Sequence, residues 1–238
     1  MRRSGTHLHT QQALFVHGAG GGAWEWHIWQ RVLRAHGWHT DAIELQPHAQ
    51  GIAATQLDDY VVQVARLAQA MQSPVLIGAS LGGLLALQAA ACAEACALVL
   101  INPVPPLGVS PRLAPRDYPD VVPWGSHRSL TSTRRAMPDA DDAARLYALR
   151  RWRDESGAVL RAACAGVRVA WPQYPTLMLA SEHDADVPLQ TSRACAELCG
   201  AEFHLLHGAS HVGPLLGRGA YAAAELARNW MERVLGMS

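Results

Sequence analysis

The chain has 238 residues, 50% of them hydrophobic and 17% charged, enough to bury one sizeable core and too apolar for a disordered or fibrous protein. Its 20 basic and 20 acidic residues balance, so no charge excess points to nucleic acid or an anionic membrane as partner. Every basic residue is an arginine, which excludes chemistry that needs a lysine amine.

The N-terminal MRRSGTHLHTQQALFVHG carries two arginines with no apolar stretch behind them, so no export signal is expected and a cytoplasmic location is inferred. No apolar run approaches the ~18 residues of a membrane span. The five cysteines, Cys92, Cys96, Cys164, Cys195 and Cys199, are odd in number and lack the short spacing of a zinc site; reduced, buried thiols and no metal are expected.

Six short apolar runs read as strands: 13–17, 40–45, 74–79, 97–102, 175–181 and 202–206. Their uniform apolarity suits strands covered on both faces. Amphipathic stretches at about 26–36, 56–72, 81–92, 189–199 and 219–235 read as helices between them. This alternation indicates an α/β fold with a mostly parallel, doubly wound sheet of about six strands and right-handed crossovers.

The alternation breaks over residues 103–172. NPVPPLGVSPRLAP can continue neither a helix nor a central strand. DADDAARLYALRRW (139–152) follows, with acids in its first turn and arginines in its last, as a helix dipole favours, and then AVLRAACAGV (158–167). The expected organisation is a core of 1–102 and 173–238 with a helical cap, 103–172, inserted before the last two strands.

Four segments carry chemistry, each just past the C-terminal end of a different expected strand, where doubly wound sheets place their sites. GASLG (78–82) is a G-x-S-x-G between a strand and a helix, the setting that pushes a nucleophilic Ser80 out on a strained turn. HGAGGGAWEW (17–26) follows the first strand, and its glycines leave N–H groups uncovered for a developing oxyanion. Ala19 N–H and Leu81 N–H are the expected donors. A phosphate loop is the competing reading, but the pattern is neither G-x-G-x-x-G nor a Walker A, and no lysine exists to complete the latter. ASEHDADVP (180–188) offers Asp184 and Asp186 as the acid that orients an imidazole, and one of them as a loop carboxylate or helix cap. HGASHVGP (207–214) offers His211 as base, with His204 and His207 as competitors and Ser210, in a GASHV that echoes GASLG, as a decoy. The order Ser, acid, His is that of α/β-hydrolases.

From about residue 12 to 235 the chain resembles the α/β-hydrolase superfamily. Its FVHGAGGGAWEWHIWQRVLRAHGWHTDAIELQPHAQG is similar to the branch of plant methylesterases and hydroxynitrile lyases. In that branch the acid stands four residues before a proline in a Gly-x-x-Asp-x-x-x-Pro-like stretch; the resemblance therefore favours Asp184, four before Pro188, over Asp186. Ser181 stands where the family often has glycine. The first two strands of larger relatives have no room before residue 12, so a six-stranded core is expected. Ser80 argues against the dehalogenases and epoxide hydrolases of this fold, which use an aspartate at the elbow. The missing lysine argues against lyase chemistry of the hydroxynitrile type.

The expected function is a cofactor-free serine hydrolase that takes a small, apolar ester or related acyl substrate through an acyl-enzyme on Ser80, as a monomer or homodimer. Trp24, Leu146 and Tyr147 are candidate substrate-binding residues, beside the loop aromatics Trp124 and Trp152, and all could equally be packing. Thioesterase, lactonase and perhydrolase activity remain open, as does a non-catalytic binding protein on the same scaffold.

Overall fold

Four apolar runs form the buried centre of a parallel sheet in the computed structural model, which describes residues 11–237. In chain order the elements are β1 (Gln12–Val16), α1 (His27–Ala35), β2 (His39–Ala42), α2 (Leu57–Gln69), β3 (Val75–Ala79), α3 (Leu81–Ala90) and β4 (Ala97–Ile101). Next come β5 (Val121–Val122), α4 (Leu130–Ala136), α5 (Asp142–Leu149), β6 (Glu155–Ser156) and α6 (Gly157–Ala165). The chain closes with β7 (Thr176–Ser181), α7 (Leu189–Cys199), β8 (Glu202–Leu206), α8 (Gly213–Leu216) and α9 (Ala220–Val234). Residues 1–10, which begin the stretch read for an export signal, lie outside the described residues.

The six-stranded sheet has the order β2-β1-β3-β4-β7-β8, with every neighbouring pair parallel. Alternate residues of one strand enter opposite cores. Leu14, Val16, Leu76, Leu98, Leu100 and Met178 pack with residues of α2, α3, α6 and α7. Phe15, Ile77, Val99, Ile101, Leu177 and Leu179 pack on the other face with residues of α1, α8 and α9. Each buried aliphatic or aromatic side chain is worth about 1.5–3 kcal/mol, so the two layers are what hold the strand ends in place.

The expectation that all six strands are covered on both faces holds for β1, β3, β4 and β7 and fails at the edges. β2 and β8 keep exposed or half-buried residues along their length. An edge strand has a neighbour on one side only, so Asp41 and Glu202 can reach solvent there. The thiols also depart from expectation: all five are free, but only Cys195 and Cys199 are buried and Cys92 is exposed. Among the described residues no helix is long and apolar enough to cross a membrane.

Between Ile101 and Thr176 lie α4, α5 and α6 together with a two-stranded antiparallel ladder of β5 and β6. Asp141 caps α5 by accepting Ala144 N–H at 2.8 Å, which gives the expected acidic start of that helix a specific partner. α4 and the ladder were not anticipated from the sequence.

Candidate active site

Ser80 stands between β3 and α3 with φ 53° and ψ −122°, a left-handed backbone that a non-glycine residue adopts only when its surroundings enforce it. The enforcement is visible. Ser80 N–H donates to Ile101 O at 2.9 Å, and Ser80 O accepts from Gly83 N–H and Val104 N–H, both at 3.0 Å. A side chain on Gly82 would run into the Val16 and His17 carbonyls, so the helix after the serine can press against the end of β1 only with glycine there. Gly18 closes the other side: a Cβ on it would lie 3.2 Å from Ser80 Cβ. The glycine-rich loop after β1 is therefore seated directly on the serine.

His211 lies in the turn after β8, and its Nδ1–H donates to Asp184 Oδ2 at 2.7 Å. Asp184 Oδ1 accepts the N–H groups of Asp186 and Val187, both at 2.8 Å, so the carboxylate is held by its own loop as well as by the imidazole. Burial alone would push the His211 pKa down; the hydrogen bond and charge of Asp184 overcome this and raise it above its ordinary value. Asp186 lies close by, with its oxygen within 4.8 Å of the Asp184 and His211 ligand atoms, but it pairs with Arg116 at 3.6 Å. Of the two acids the imidazole contacts Asp184.

The competitors are placed elsewhere. His204 pairs with Glu202 at 3.0 Å, and His207 with Glu182 at 3.4 Å. Ser210 is buried and donates its hydroxyl to Asp139 Oδ1 at 2.5 Å, while its N–H donates to Asp139 Oδ2 at 3.1 Å. That serine anchors the histidine turn to the inserted segment.

Asn102, which sequence reasoning passed over, joins the strand ends. β3 and β4 pair Ala79 with Ile101, so Ser80 and Asn102 are the next residues of neighbouring strands. Asn102 is 1% exposed and has φ 45°. Its Nδ2 donates to His211 O at 2.8 Å and to Ser181 Oγ at 2.9 Å, and its Oδ1 accepts Ser181 N–H at 2.7 Å. Ser181, the departure from the family's glycine, supplies two of those bonds. The available signal was a polar residue ending the apolar run ALVLI.

The loop after β1 has its own supports. Leu45 N–H donates to His17 Nε2 at 3.1 Å, which leaves Nδ1–H to donate to Gly18 O at 2.8 Å. Burial, reinforced by the nearby Arg153 guanidinium, pushes the His17 pKa down to about 3, so this tautomer persists. The same peptide that contains Gly18 O carries the Ala19 N–H. Among the described residues neither Ala19 N–H nor Leu81 N–H has a protein acceptor. Behind the loop sits Glu25, 3% exposed, filling the space a Gly21 side chain would take. Burial pushes its pKa up to about 8, against the pull of the Gly18 and Gly22 N–H groups, Arg153 and His211.

The substrate-binding candidates Trp24, Leu146 and Tyr147 lie on α5 and on the segment leading into α1. Trp24 packs edge-on against Trp152 and Tyr147, with ring centroids 5.3 and 5.7 Å apart, and Tyr147 carries Arg151 on its other face at 3.7 Å. These contacts attach α5 to the segment leading into α1. Leu146 is 44% exposed, and Ala148 takes the buried position of α5. A cavity of about 420 Å³ opens instead between Leu113, Pro115 and Cys164, with Arg112, Arg116 and Arg161 at its walls. The Arg116–Asp186 pair joins that cavity to the acid loop.

A profile of the alpha/beta hydrolase family matches residues 13–225. No curated protein matches the chain in sequence. Among solved structures, a methylesterase from Arabidopsis is 17% identical over 93% of this chain and 99% of its own, with a TM-score of 0.71. A structure from the metagenome-derived lipolytic enzymes LipS and LipT is 18% identical over 94% of both chains, with a TM-score of 0.68. A thioesterase domain from the curacin biosynthetic pathway is 17% identical over 93% and 91%, with a TM-score of 0.66. At these identities the structures attest the fold, and the profile over nine-tenths of the sequence settles descent: the chain belongs to the alpha/beta hydrolase family.

Proposed function

We propose that the protein is a serine hydrolase of small acyl substrates, with Ser80 as nucleophile, His211 as general base and Asp184 as the acid that orients it. The observation that carries this reading is the His211 Nδ1–Asp184 bond of 2.7 Å, on strand ends that Asn102 ties to the strained turn bearing Ser80. His211 takes the Ser80 proton as Oγ attacks the acyl carbon. Ala19 and Leu81 N–H groups receive the negative charge that forms on the carbonyl oxygen, and Asp184 stabilises the imidazolium. The imidazolium returns its proton to the leaving alcohol or thiol, and water then hydrolyses the acyl-enzyme by the same steps. In this reading residues 103–172 form a cap over the sheet edge, and the cavity between Leu113, Pro115 and Cys164, joined to the acid loop by the Arg116–Asp186 pair, takes the acyl group. The neighbours named as methylesterase, lipolytic enzyme and thioesterase fit this chemistry and differ in leaving group.

Labelling with a fluorophosphonate probe tests the nucleophile: the wild type should label and Ser80→Ala should not. Esters, thioesters and lactones of graded acyl length then assign the leaving group. A wild type that neither labels nor turns over any of them refutes the reading in favour of a binding protein.

A further inference from the structure

The inserted segment does more than lie over the sheet edge. Its residues 153–155 grip the glycine loop peptide by peptide. Gly20 N–H donates to Glu155 Oε2 at 3.0 Å, Arg153 N–H donates to Gly20 O at 2.9 Å, and Arg153 Nε donates to Gly21 O at 2.7 Å. With His17 on Gly18 O, each peptide from 18 to 22 has at least one bonded group, while Ala19 N–H has no acceptor among the described residues. Gly20 has φ 68° and lies under the Trp124 ring, where a Cβ would come within 2.7 Å of the indole.

Both gripping side chains are themselves fixed. Glu155 is buried, and its Oε1 accepts Tyr60 OH at 3.0 Å and Ser156 N–H at 2.8 Å. Arg153 reaches Leu45 O at 3.2 Å, His17 Nε2 at 3.3 Å and Glu44 Oε1 at 2.5 Å, and Glu44 Oε2 accepts Ala23 N–H at 2.9 Å. A planar guanidinium serves these divergent acceptors at once, which a single ammonium could not do. Of these bonds, Glu155 on Gly20 N–H and His17 on Gly18 O hold the two peptides that flank Ala19, and Arg153 holds the next two carbonyls of the same turn.

We infer that Arg153 and Glu155 are positioning residues for acyl transfer: the inserted segment sets the oxyanion-binding loop through them. The inference rests on the assignment of Ser80 and Ala19 made above. It follows that the segment cannot swing away from the sheet without loosening the loop, so substrate must enter beside residues 153–155 and not by their displacement. A transition state is more sensitive to this than a bound substrate, because the oxyanion forms only after attack.

The test measures kcat and KM on a short-chain p-nitrophenyl ester and the inhibition constant of an alkyl boronic acid, which forms a tetrahedral adduct on the serine. Arg153→Met keeps the main-chain bond to Gly20 O and loses the one to Gly21 O. Its kcat should fall about 10- to 100-fold, the scale of a displaced catalytic group, with KM within about threefold. Boronate affinity should fall by the same factor as kcat. Glu155→Ala should behave likewise, and Glu155→Gln, which retains an acceptor for Gly20 N–H, should recover most of the loss. A merely structural role would lower the melting temperature and leave kcat per folded molecule and boronate affinity unchanged. If Glu155→Ala does not fold, Arg153→Met decides, since its side chain is partly exposed. Retention of wild-type kcat and boronate affinity within threefold in folded Arg153→Met overturns the inference. Loss of the Ser80 assignment would look different, with no fluorophosphonate labelling of the wild type at all.

Discussion

The carboxyl edge of the sheet and the chain inserted between β4 and β7 meet at one site but are held by different forces. The strands that end at Ser80, Asn102 and Ser181 are buried throughout and carry almost nothing polar until their last residue. Their positions come from apolar burial on two faces, which is strong and non-directional. The inserted segment has short helices and few wholly buried side chains, and it is attached by directed bonds: Arg153 and Glu155 to the glycine loop, Asp139 to Ser210, Ser156 to Thr55. Burial fixes where the proposed catalytic groups stand; the directed bonds fix how the peptides around them point. Substitutions in the two regions should therefore fail in different ways.

The largest effect should come from the sheet edge. Ser80→Ala should lower kcat by about 10⁴–10⁶ with the fold intact, since the bonds that hold the turn are main-chain ones and survive the substitution. Ser210→Ala belongs to the other region. It should leave turnover within about twofold and lower stability by about 1.5–3 kcal/mol through the lost bond to Asp139. Turnover and melting curves of the pair would break the comparison if their losses were exchanged.

Asp184→Asn should follow, with about 10³–10⁴ lost from kcat because an amide favours the wrong histidine tautomer. Asp186→Asn should cost about tenfold or less, as that side chain pairs with Arg116. A pH profile adds a signed test. His211 must be neutral to act as base, and its pKa is raised, so wild-type activity should rise through a midpoint above 6.5. Asp184→Asn removes the hydrogen bond and charge that oppose burial, so the midpoint of its residual activity should move to lower pH. A midpoint unchanged in Asp184→Asn would separate the acid from the base.

Much of this was legible in the sequence, and the boundary follows the same division of forces. The six strands lie within a few residues of the apolar runs, because burial on both faces writes a continuous pattern at the centre of a sheet. The four chemical segments fall where topology puts strand ends, so order along the chain was enough to pair His211 with a loop acid. The inserted segment was legible only as an interruption. α4 is LTSTRRA, with no apolar period and a Ser129–Ser132 capping box in place of the usual glutamate. β5 and β6 have two residues each, too short to alternate. Arg153 and Glu155 lie just past the expected 139–152 helix in no recognisable motif, and their partners are 132 and 135 residues away. Directed bonds over such distances leave no periodic trace.

A smaller effect should separate the packing of the inserted segment from the proposed acyl cavity. Leu146 faces solvent, so Leu146→Ala should change neither stability nor acyl preference beyond about twofold. Leu113→Ala widens the cavity and should shift preference toward longer acyl chains by tens-fold at most, since a methylene's contact is worth about 1–3 kcal/mol. Tyr147→Ala removes the contact with Trp24 and should weaken all substrates alike. kcat/KM across an acyl series, with melting curves, distinguishes a selective shift from a parallel loss; equal shifts for Leu113→Ala and Leu146→Ala would discard the cavity as the acyl site.

The smallest effect on turnover should come from Glu25, the one acidic side chain buried behind the glycine loop without a partner for Oε2 among the described residues. Its pKa stands near 8, so at pH 7 the folded protein holds it as a neutral acid, and Glu25→Gln replaces that acid with a neutral group of the same shape. Turnover at pH 7 should stay within about twofold. Stability should respond in a pH window that the sign fixes. In the unfolded chain the carboxyl ionises around its ordinary value of 4.5, while in the fold it stays protonated up to about 8, so folding takes up a proton between those values. The wild type should then lose stability progressively from about pH 4.5 to about 8, by a few kcal/mol at ~1.4 kcal/mol per pH unit if burial acts in full. Glu25→Gln removes this slope and should be the more stable protein at pH 8 and the nearly equal one at pH 4.5. Urea unfolding at several pH values reads it directly. Parallel wild-type and mutant curves would mean that Glu25 is ionised in the fold, held by the Gly18 and Gly22 N–H groups, and that burial and not directed bonding had been overstated on this side of the loop.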